Sequence, residues 1–147
     1  MPTRKARAEW RGGLRGGEGE MQAGGQQFPY SFRSRFEYGT GSNPEELIAA
    51  AHAGCFSMAF AEQLELAGCP PRAVCTTANV SVEKQENGFS ITRIHLQCVA
   101  DVPGISTANF QRIADAAKAG CPVSRALAAV PEITLEATLS GEAAQAA

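Results

Sequence analysis

Histidine is scarce in this chain, with two in 147 residues, and none of its five cysteines are spaced as C-x-x-C. A structural zinc site draws its ligands from such short spacings, so this composition argues against a metal as the organising element. There is also no excess of one charge: 13 Lys and Arg face 15 Asp and Glu, a net −2. That leaves no electrostatic footprint for nucleic acid or an anionic membrane. The arginines within 4–15 and 33–35 are interrupted by other residue types and read as solvated strand ends. No apolar run approaches the roughly 20 residues that span a bilayer; the longest, Leu47–Phe60, is too short. Residues 2–25 are mostly polar and show no signal peptide. Free thiols and a reducing, cytoplasmic setting are therefore expected for Cys55, Cys69, Cys75, Cys98 and Cys121. Internal repeats are absent. The length fits one domain, residues 1–147, with a core over about 6–140 and a small polar tail at 141–147 expected to fray.

What is present centres on Asn43–Gly68, the longest near-unbroken helical pattern. Asn43 suits the N-cap, Pro44 the first helical position, and Glu46 falls where a capping-box acid would. Gly68, followed by Cys69-Pro70-Pro71, ends it. Between Leu47 and Phe60 only His52 and Ser57 are strongly polar, which predicts a helix covered on nearly every side.

Around this helix the periodicity alternates between two and 3.6. Residues 3–10 read as a short strand, and 14–21 as its hairpin partner beyond Gly12-Gly13 and Gly16-Gly17. Residues 23–27 read as a polar loop, and 28–38 as an aromatic strand with Phe32, Ser34 and Phe36 on one face. After the central helix, residues 73–84 alternate cleanly, and Asn87-Gly88 signals a hairpin turn. The return strand 89–102 changes phase, which predicts a bulge near Thr92-Arg93 or burial on both faces. A helix over 107–119 presents Phe110, Ile113, Ala114 and Ala117, with Gly120 as its stop. Pro122 opens a shorter helix to about 129, and 132–140 form a strand with Ile133, Leu135, Ala137 and Leu139 inward. With no βαβ alternation evident, the order reads as α+β.

Three residues could carry chemistry. Cys55 lies at the middle of the central helix; a lone Cys there is most often a small buried hydrophobe, and a reactive one needs a group that stabilises its thiolate. Glu45, Ile48, His52 and Cys55 fall along one helical stripe, so His52 is a possible partner, or else a core imidazole bonded to a carbonyl. Cys121 begins a Pro-initiated helix, where the dipole favours a thiolate. Arg35, between Ser34 and Phe36, reads as a strand-edge charge reaching water. Cys98 falls in the inward phase of its strand, while Cys69 and Cys75 flank the loop after the central helix.

Three runs bear a resemblance that reorders these candidates: Arg35-Phe36-Glu37, Ser42-Asn43-Pro44-Glu45-Glu46-Leu47 and Ala50-Ala51-His52-Ala53-Gly54-Cys55-Phe56-Ser57-Met58. With Val102-Pro103-Gly104-Ile105 and Ala119-Gly120-Cys121-Pro122-Val123-Ser124, they resemble the osmotically inducible protein C (OsmC) branch of the OsmC/Ohr peroxidase family, over residues 6 to 140. The resemblance implies an α+β fold, with antiparallel sheets around a central buried helix, and an intertwined homodimer. It implies reduction of organic hydroperoxides in oxidative and osmotic stress defence, without metal or organic cofactor. Matched position by position, Cys55 is the peroxidatic cysteine, Cys121 the resolving one, Arg35 the thiolate-stabilising arginine and Glu45 the acid that holds it. Gly54 stands where Ala is more usual, which loosens the helix by up to ~1 kcal/mol.

The implied cycle takes Cys55 to a sulfenic acid and then to a Cys55–Cys121 disulfide, which an external dithiol reopens. Lipoyl groups on a carrier protein are the expected reductant, and an apolar lining from Phe56, Met58, Phe60 and the 28–36 segment is expected to favour alkyl hydroperoxides. On a straight helix Glu45 lies roughly 15 Å from Cys55, so one Arg serves both only if the helix bends or the contact crosses a dimer; the dimer is favoured. Two other classes compete: a cysteine hydrolase using Cys55 and His52, and a non-catalytic redox sensor or small-ligand-binding protein on the same fold.

Overall fold

The structure, a computed structural model, describes residues 1–140; the tail expected to fray, 141–147, lies outside them. The chain divides into two compact units, Met1–Leu47 and Ile48 onward.

In the first unit, β1 (Arg7–Arg11), β2 (Glu18–Ala23) and β3 (Gln26–Tyr30) form an antiparallel sheet in sequence order. Gly19 sits opposite both Trp10 and Tyr30 in the register. A Cβ there would come within 2.6 Å of the Trp10 ring and 2.7 Å of the Tyr30 ring. Only glycine lets those rings meet, at 5.3 Å between centroids. The loop between β2 and β3 shrinks to Gly24-Gly25, both at positive φ, as a tight hairpin requires.

The aromatic strand expected over 28–38 is corrected: it stops at Tyr30, and Phe32–Phe36 is a short helix, α1. Ser31 caps it, accepting from the Ser34 amide at 3.1 Å, while the Ser34 hydroxyl accepts from the Ser31 amide at 2.9 Å. Alternating aromatics fit a strand and a single helical turn equally well, and this reciprocal serine cap decides for the turn. The Ser34 hydroxyl also donates to the Ser42 carbonyl at 2.6 Å, and Asn43 Nδ2 to the Ser34 carbonyl at 3.0 Å. These bonds tie α1 to the start of the next helix.

That helix, α2, runs Pro44–Leu66 as expected. Asn43 Oδ1 accepts from the Glu46 amide at 2.8 Å and its Nδ2 donates to the Glu46 carboxylate at 2.9 Å. Such a cap is worth about 1 kcal/mol.

The second unit holds most of α2 and a sheet of β4 (Ala73–Gln85), β5 (Gly88–Asp101) and β6 (Glu132–Leu139). β4 and β5 pair antiparallel around a Glu86-Asn87 turn, one residue before the expected dipeptide. Ser81 opposes Arg93 while Val82 opposes Ile91, so Thr92 is the extra residue of the bulge that the phase change predicted. β6 runs parallel to β5, because α3 (Thr107–Gly120) and α4 (Pro122–Ala126) carry the chain back along the sheet. Here is a βαβ-type crossover that the reading of the sequence had missed. Two helices that meet at a single residue hid it.

Core packing follows the inward phases. Phe56, Phe60 and Leu64 of α2 are fully buried with Ile94 and Leu96 of β5 and Phe110 of α3. The Phe60 ring lies 5.6 Å from that of Phe56 and 5.2 Å from that of Phe110. Ile113, Ala114 and Ala117 complete the buried stripe of α3, and Cys98 is buried as expected. Within one chain α2 is open on one side: Ala50, Ala51, Gly54 and Met58 are exposed, Met58 at 77%.

Candidate active site

The chemistry falls into two clusters, one in each unit.

The second unit holds the thiols. Cys121 ends α3 and opens α4, at a junction made by Gly120 and Pro122. It is fully buried, and Cys55, on α2, is half-buried. Each of these two thiols shifts the ionisation of the other, and all five cysteines are free thiols. Their electrostatics differ. Burial pushes the Cys55 thiol up; the Val123 amide draws it back, and Cys121 adds to the rise. Burial acts the same way on Cys121, but the Ser124 amide outweighs it, together with hydrogen bonds from Cys55, the Ser124 hydroxyl and the Val123 amide. Cys121 therefore lies below its usual range. Amides at the start of α4 make the difference, because they reach one sulfur more fully than the other.

His52 is placed differently from the role considered for it. Its Nε2 lies 2.7 Å from Ser124 Oγ, so its hydrogen bond goes to Ser124, not to Cys55. Helical spacing brings His52 and Cys55 to one stripe, but imidazole direction follows its hydrogen bond. The ring is fully buried, and burial holds its pKa below the usual value. Ser124 belongs to a motif quoted from the sequence but was given no role there; only its position three residues after Cys121, at an opening helix, pointed to one.

The first unit holds Arg35 and Glu45. Arg35 Nη2 lies 2.7 Å from Glu45 Oε1, and its Nε lies 3.2 and 3.1 Å from the two carboxylate oxygens. The guanidinium thus grips both oxygens from within one chain. Glu45 is buried and Arg35 half-buried, stacked 5.0 Å over the Phe36 ring. A solvated strand-edge charge is not what is found. The α1 turn and the Asn43 cap set the two side chains opposite each other, ten residues apart. Arg35 also lines a cavity of about 200 Å³ with Trp10, Leu14, Tyr30, Ser31, Phe32 and Phe36.

The lining expected around Cys55 is corrected. Phe56 and Phe60 have no exposed surface, and Met58 points outward. Among the described residues no group of three or more His, Cys, Asp or Glu is arranged to hold a metal ion, and no helix is long and apolar enough to cross a membrane.

Comparison with known proteins bears on both clusters. The OsmC-like protein family matches residues 37–136. The chain is 48% identical over 136 residues to peroxiredoxin OsmC of Escherichia coli (strain K12), covering 90% of this chain and 94% of that one. It is 33% identical over 102 residues to the organic hydroperoxide resistance protein of Xanthomonas axonopodis pv. citri, covering 66% of this chain and 67% of that one. Among solved structures, the organic hydroperoxide resistance protein OhrB of Bacillus subtilis aligns with a TM-score of 0.64 at 25% identity, over 92% of this chain and 98% of that one. An OsmC-like protein from Mycoplasma pneumoniae aligns with a TM-score of 0.75 at 15% identity, over 95% and 99%, a likeness of fold. An α+β fold with these neighbours, a family match over most of the chain and near-half identity to a relative matched over nearly its full length establish that this chain belongs to the OsmC-like family, in its OsmC branch.

Proposed function

We propose that the chain is a thiol-dependent peroxidase that reduces organic hydroperoxides to alcohols, acting in oxidative and osmotic stress defence. The observation that carries this reading is the pair of free thiols Cys55 and Cys121, near enough for each to shift the other's ionisation. Peroxide reduction by thiols needs one sulfur to take the oxygen and a second within reach to close the disulfide. In the cycle, the Cys55 thiolate attacks the terminal oxygen of ROOH. The O–O bond breaks, ROH leaves with a proton, and Cys55 becomes the sulfenic acid. The Cys121 thiolate then attacks the Cys55 sulfur, the S–O bond breaks, and the oxygen leaves as water once protonated. An external dithiol returns both sulfurs to thiols by exchange. No bound cofactor enters this cycle.

Arg35 is the cation that stabilises the Cys55 thiolate in this reading, and Glu45 holds it. The aromatic cavity beside Arg35 supports an organic rather than an inorganic peroxide, since apolar burial stabilises only the former. The exposed apolar side of α2 supports a homodimer, because a second copy would cover Ala51, Gly54 and Met58. A lipoylated carrier protein is the proposed reductant and the cytoplasm the proposed compartment. The hydrolase reading loses its base, since His52 is engaged by Ser124.

The test is steady-state consumption of cumene hydroperoxide with dihydrolipoamide, wild type against Cys55→Ser. Turnover in the first and none in the second is expected. Disulfide formation without turnover in the wild type would replace the peroxidase by a redox sensor.

A further inference from the structure

A line of buried polar groups leads from the thiol pair into the core. The Ser124 hydroxyl meets His52 Nε2 at 2.7 Å and, three residues beyond Cys121, helps to draw that thiol down. His52 is fully buried and Ser124 is 8% exposed, so their bond is not shared with solvent. We propose that Ser124, oriented by His52, is a positioning residue that holds the negative charge on Cys121 for disulfide closure.

Counting protons fixes the direction of the line. A serine hydroxyl has one proton, and a neutral imidazole has one ring proton. In one arrangement His52 Nε2–H donates to Ser124, Ser124 donates to Cys121, and His52 Nδ1 is a bare lone pair. In the other, Ser124 donates to Nε2, Nδ1 carries the proton, and Cys121 loses its hydroxyl donor. Nδ1 is buried without a hydrogen-bond partner among the described residues. A buried N–H with no acceptor is rarer in proteins than an under-used acceptor. The first arrangement is therefore the stable one, and it points the hydroxyl at sulfur. Burial keeps His52 neutral, which preserves it.

The arrangement suits the order of the two chemical steps, taken from the peroxidase reading above. With Cys55 as thiolate and Cys121 as thiol, oxygen transfer gives Cys55–SOH and ROH, the alcohol proton coming from Cys121. Cys121 is left as the thiolate that must attack next. A hydroxyl donor already aimed at it, with the Val123 and Ser124 amides, holds that charge until the S–S bond forms and water leaves. The ionisable group that acts on Cys121 is Cys55, and His52 reaches it only through Ser124, both from α2; the charged residues closest to it in sequence on α3 and α4 are Lys118, half-buried, and Arg125, exposed.

The test follows the cysteine Cβ resonances of protein labelled with [13Cβ]cysteine as pH is varied, each signal assigned by its loss in a Cys→Ser variant. No peroxide is involved, so the outcome is independent of whether the peroxidase reading holds. In the Cys55→Ser background, Ser124→Ala should raise the Cys121 midpoint by about one pH unit or more, the effect of losing a donor to a charged group. Ser124→Thr, which keeps the hydroxyl, should restore it, and His52→Phe should give a smaller rise. In single-turnover oxidation of the two-cysteine protein, Ser124→Ala should slow disulfide closure about tenfold and leave Cys55 oxidation unchanged, and a further excess of peroxide should then carry the lingering sulfenic acid on to sulfinic acid. A Cys121 midpoint unmoved by Ser124→Ala, or a rise that Ser124→Thr does not reverse, overturns the proposal. Should Ser124→Ala not fold, the His52→Phe titration decides by the same criterion.

Discussion

Arg35 and Glu45 form one ion pair, but its two halves differ in exposure, and that difference predicts an asymmetric response to mutation. Glu45 keeps 9% of its side chain exposed and Arg35 keeps 35%. Arg35→Ala strands a carboxylate out of water, which costs about 3–5 kcal/mol when a buried pair loses one partner. Glu45→Gln removes the charge but keeps a carbonyl oxygen, and the guanidinium can turn toward water. That change should cost about 1.5 kcal/mol, the low end for a hydrogen bond to a charged group. The double variant no longer buries a lone charge, so it should be more stable than Arg35→Ala alone. The assay is urea unfolding of the four proteins at one fixed concentration, because a dimer's midpoint depends on concentration. Equal losses for the two single variants, or additivity to within about 0.5 kcal/mol, would refute the reasoning. Activity provides a second axis: Arg35→Lys restores the charge without the planar fork, so it should recover stability in part and turnover less.

Other expectations follow from the same geometry. Cys121→Ser should still be oxidised at Cys55, and mass spectrometry should then find the sulfenic acid after one equivalent of cumene hydroperoxide and sulfinic acid once peroxide is in excess; the wild type should give the Cys55–Cys121 peptide pair after one equivalent. Dihydrolipoamide should sustain turnover far better than glutathione, and the reverse order in a steady-state assay would remove the lipoyl proposal. Met58→Asp should place a charge on the uncovered side of α2 and yield monomers by light scattering, whereas an unchanged dimer would put the interface elsewhere. His52 is buried and held below the usual 6.5, so the unfolded chain binds a proton there that the folded chain does not. Its contribution is complete above about pH 6.5 and is lost as pH falls; unfolding from pH 7.5 to 5 should show a slope that His52→Gln lacks.

Much of this fold was legible because each element carried its own period and stop signal. The bulge at Thr92 could be placed from a phase change alone, and Phe110, Ile113, Ala114 and Ala117 all lie buried as their spacing required. Asn43 and Glu46 announced the start of α2, and they cap it. Three features were not legible, each for a physical reason. Alternation over 28–38 does not separate a strand from one helical turn, and the Ser31–Ser34 cap that decides is a short-range hydrogen bond without a period. The parallel return of β6 depends on how far α3 and α4 carry the chain, which no local pattern encodes. The site was harder still. His52 and Cys55 share a stripe, but the bond of His52 to Ser124 crosses 72 positions. Only the resemblance joined Cys55 to Cys121 and Arg35 to Glu45.

Within the second unit the hydrogen bonds favour negative charge on Cys121, while Cys55 lies above its usual range. A peroxidatic Cys55 needs the opposite distribution in the resting enzyme. In the reading proposed above Arg35 supplies the balancing charge: a guanidinium within about 4 Å would stabilise a thiolate by about 4 kcal/mol at an effective dielectric of about 20, or about three pH units. The Glu45 carboxylate on the same guanidinium takes back part of this. In that reading Arg35 sets which sulfur reacts first, and Ser124 which one reacts second. In a Cys121→Ser background, where Cys55 titrates without its neighbour, Arg35→Ala should raise the Cys55 midpoint by about two units. In a Cys55→Ser background the same change should move Cys121 much less, because its charge rests on amides and a hydroxyl. Cysteine Cβ shifts followed against pH read both midpoints directly. A Cys55 midpoint that Arg35→Ala leaves in place would reduce Arg35 and Glu45 to a structural pair, and the cation for Cys55 would have to be sought elsewhere.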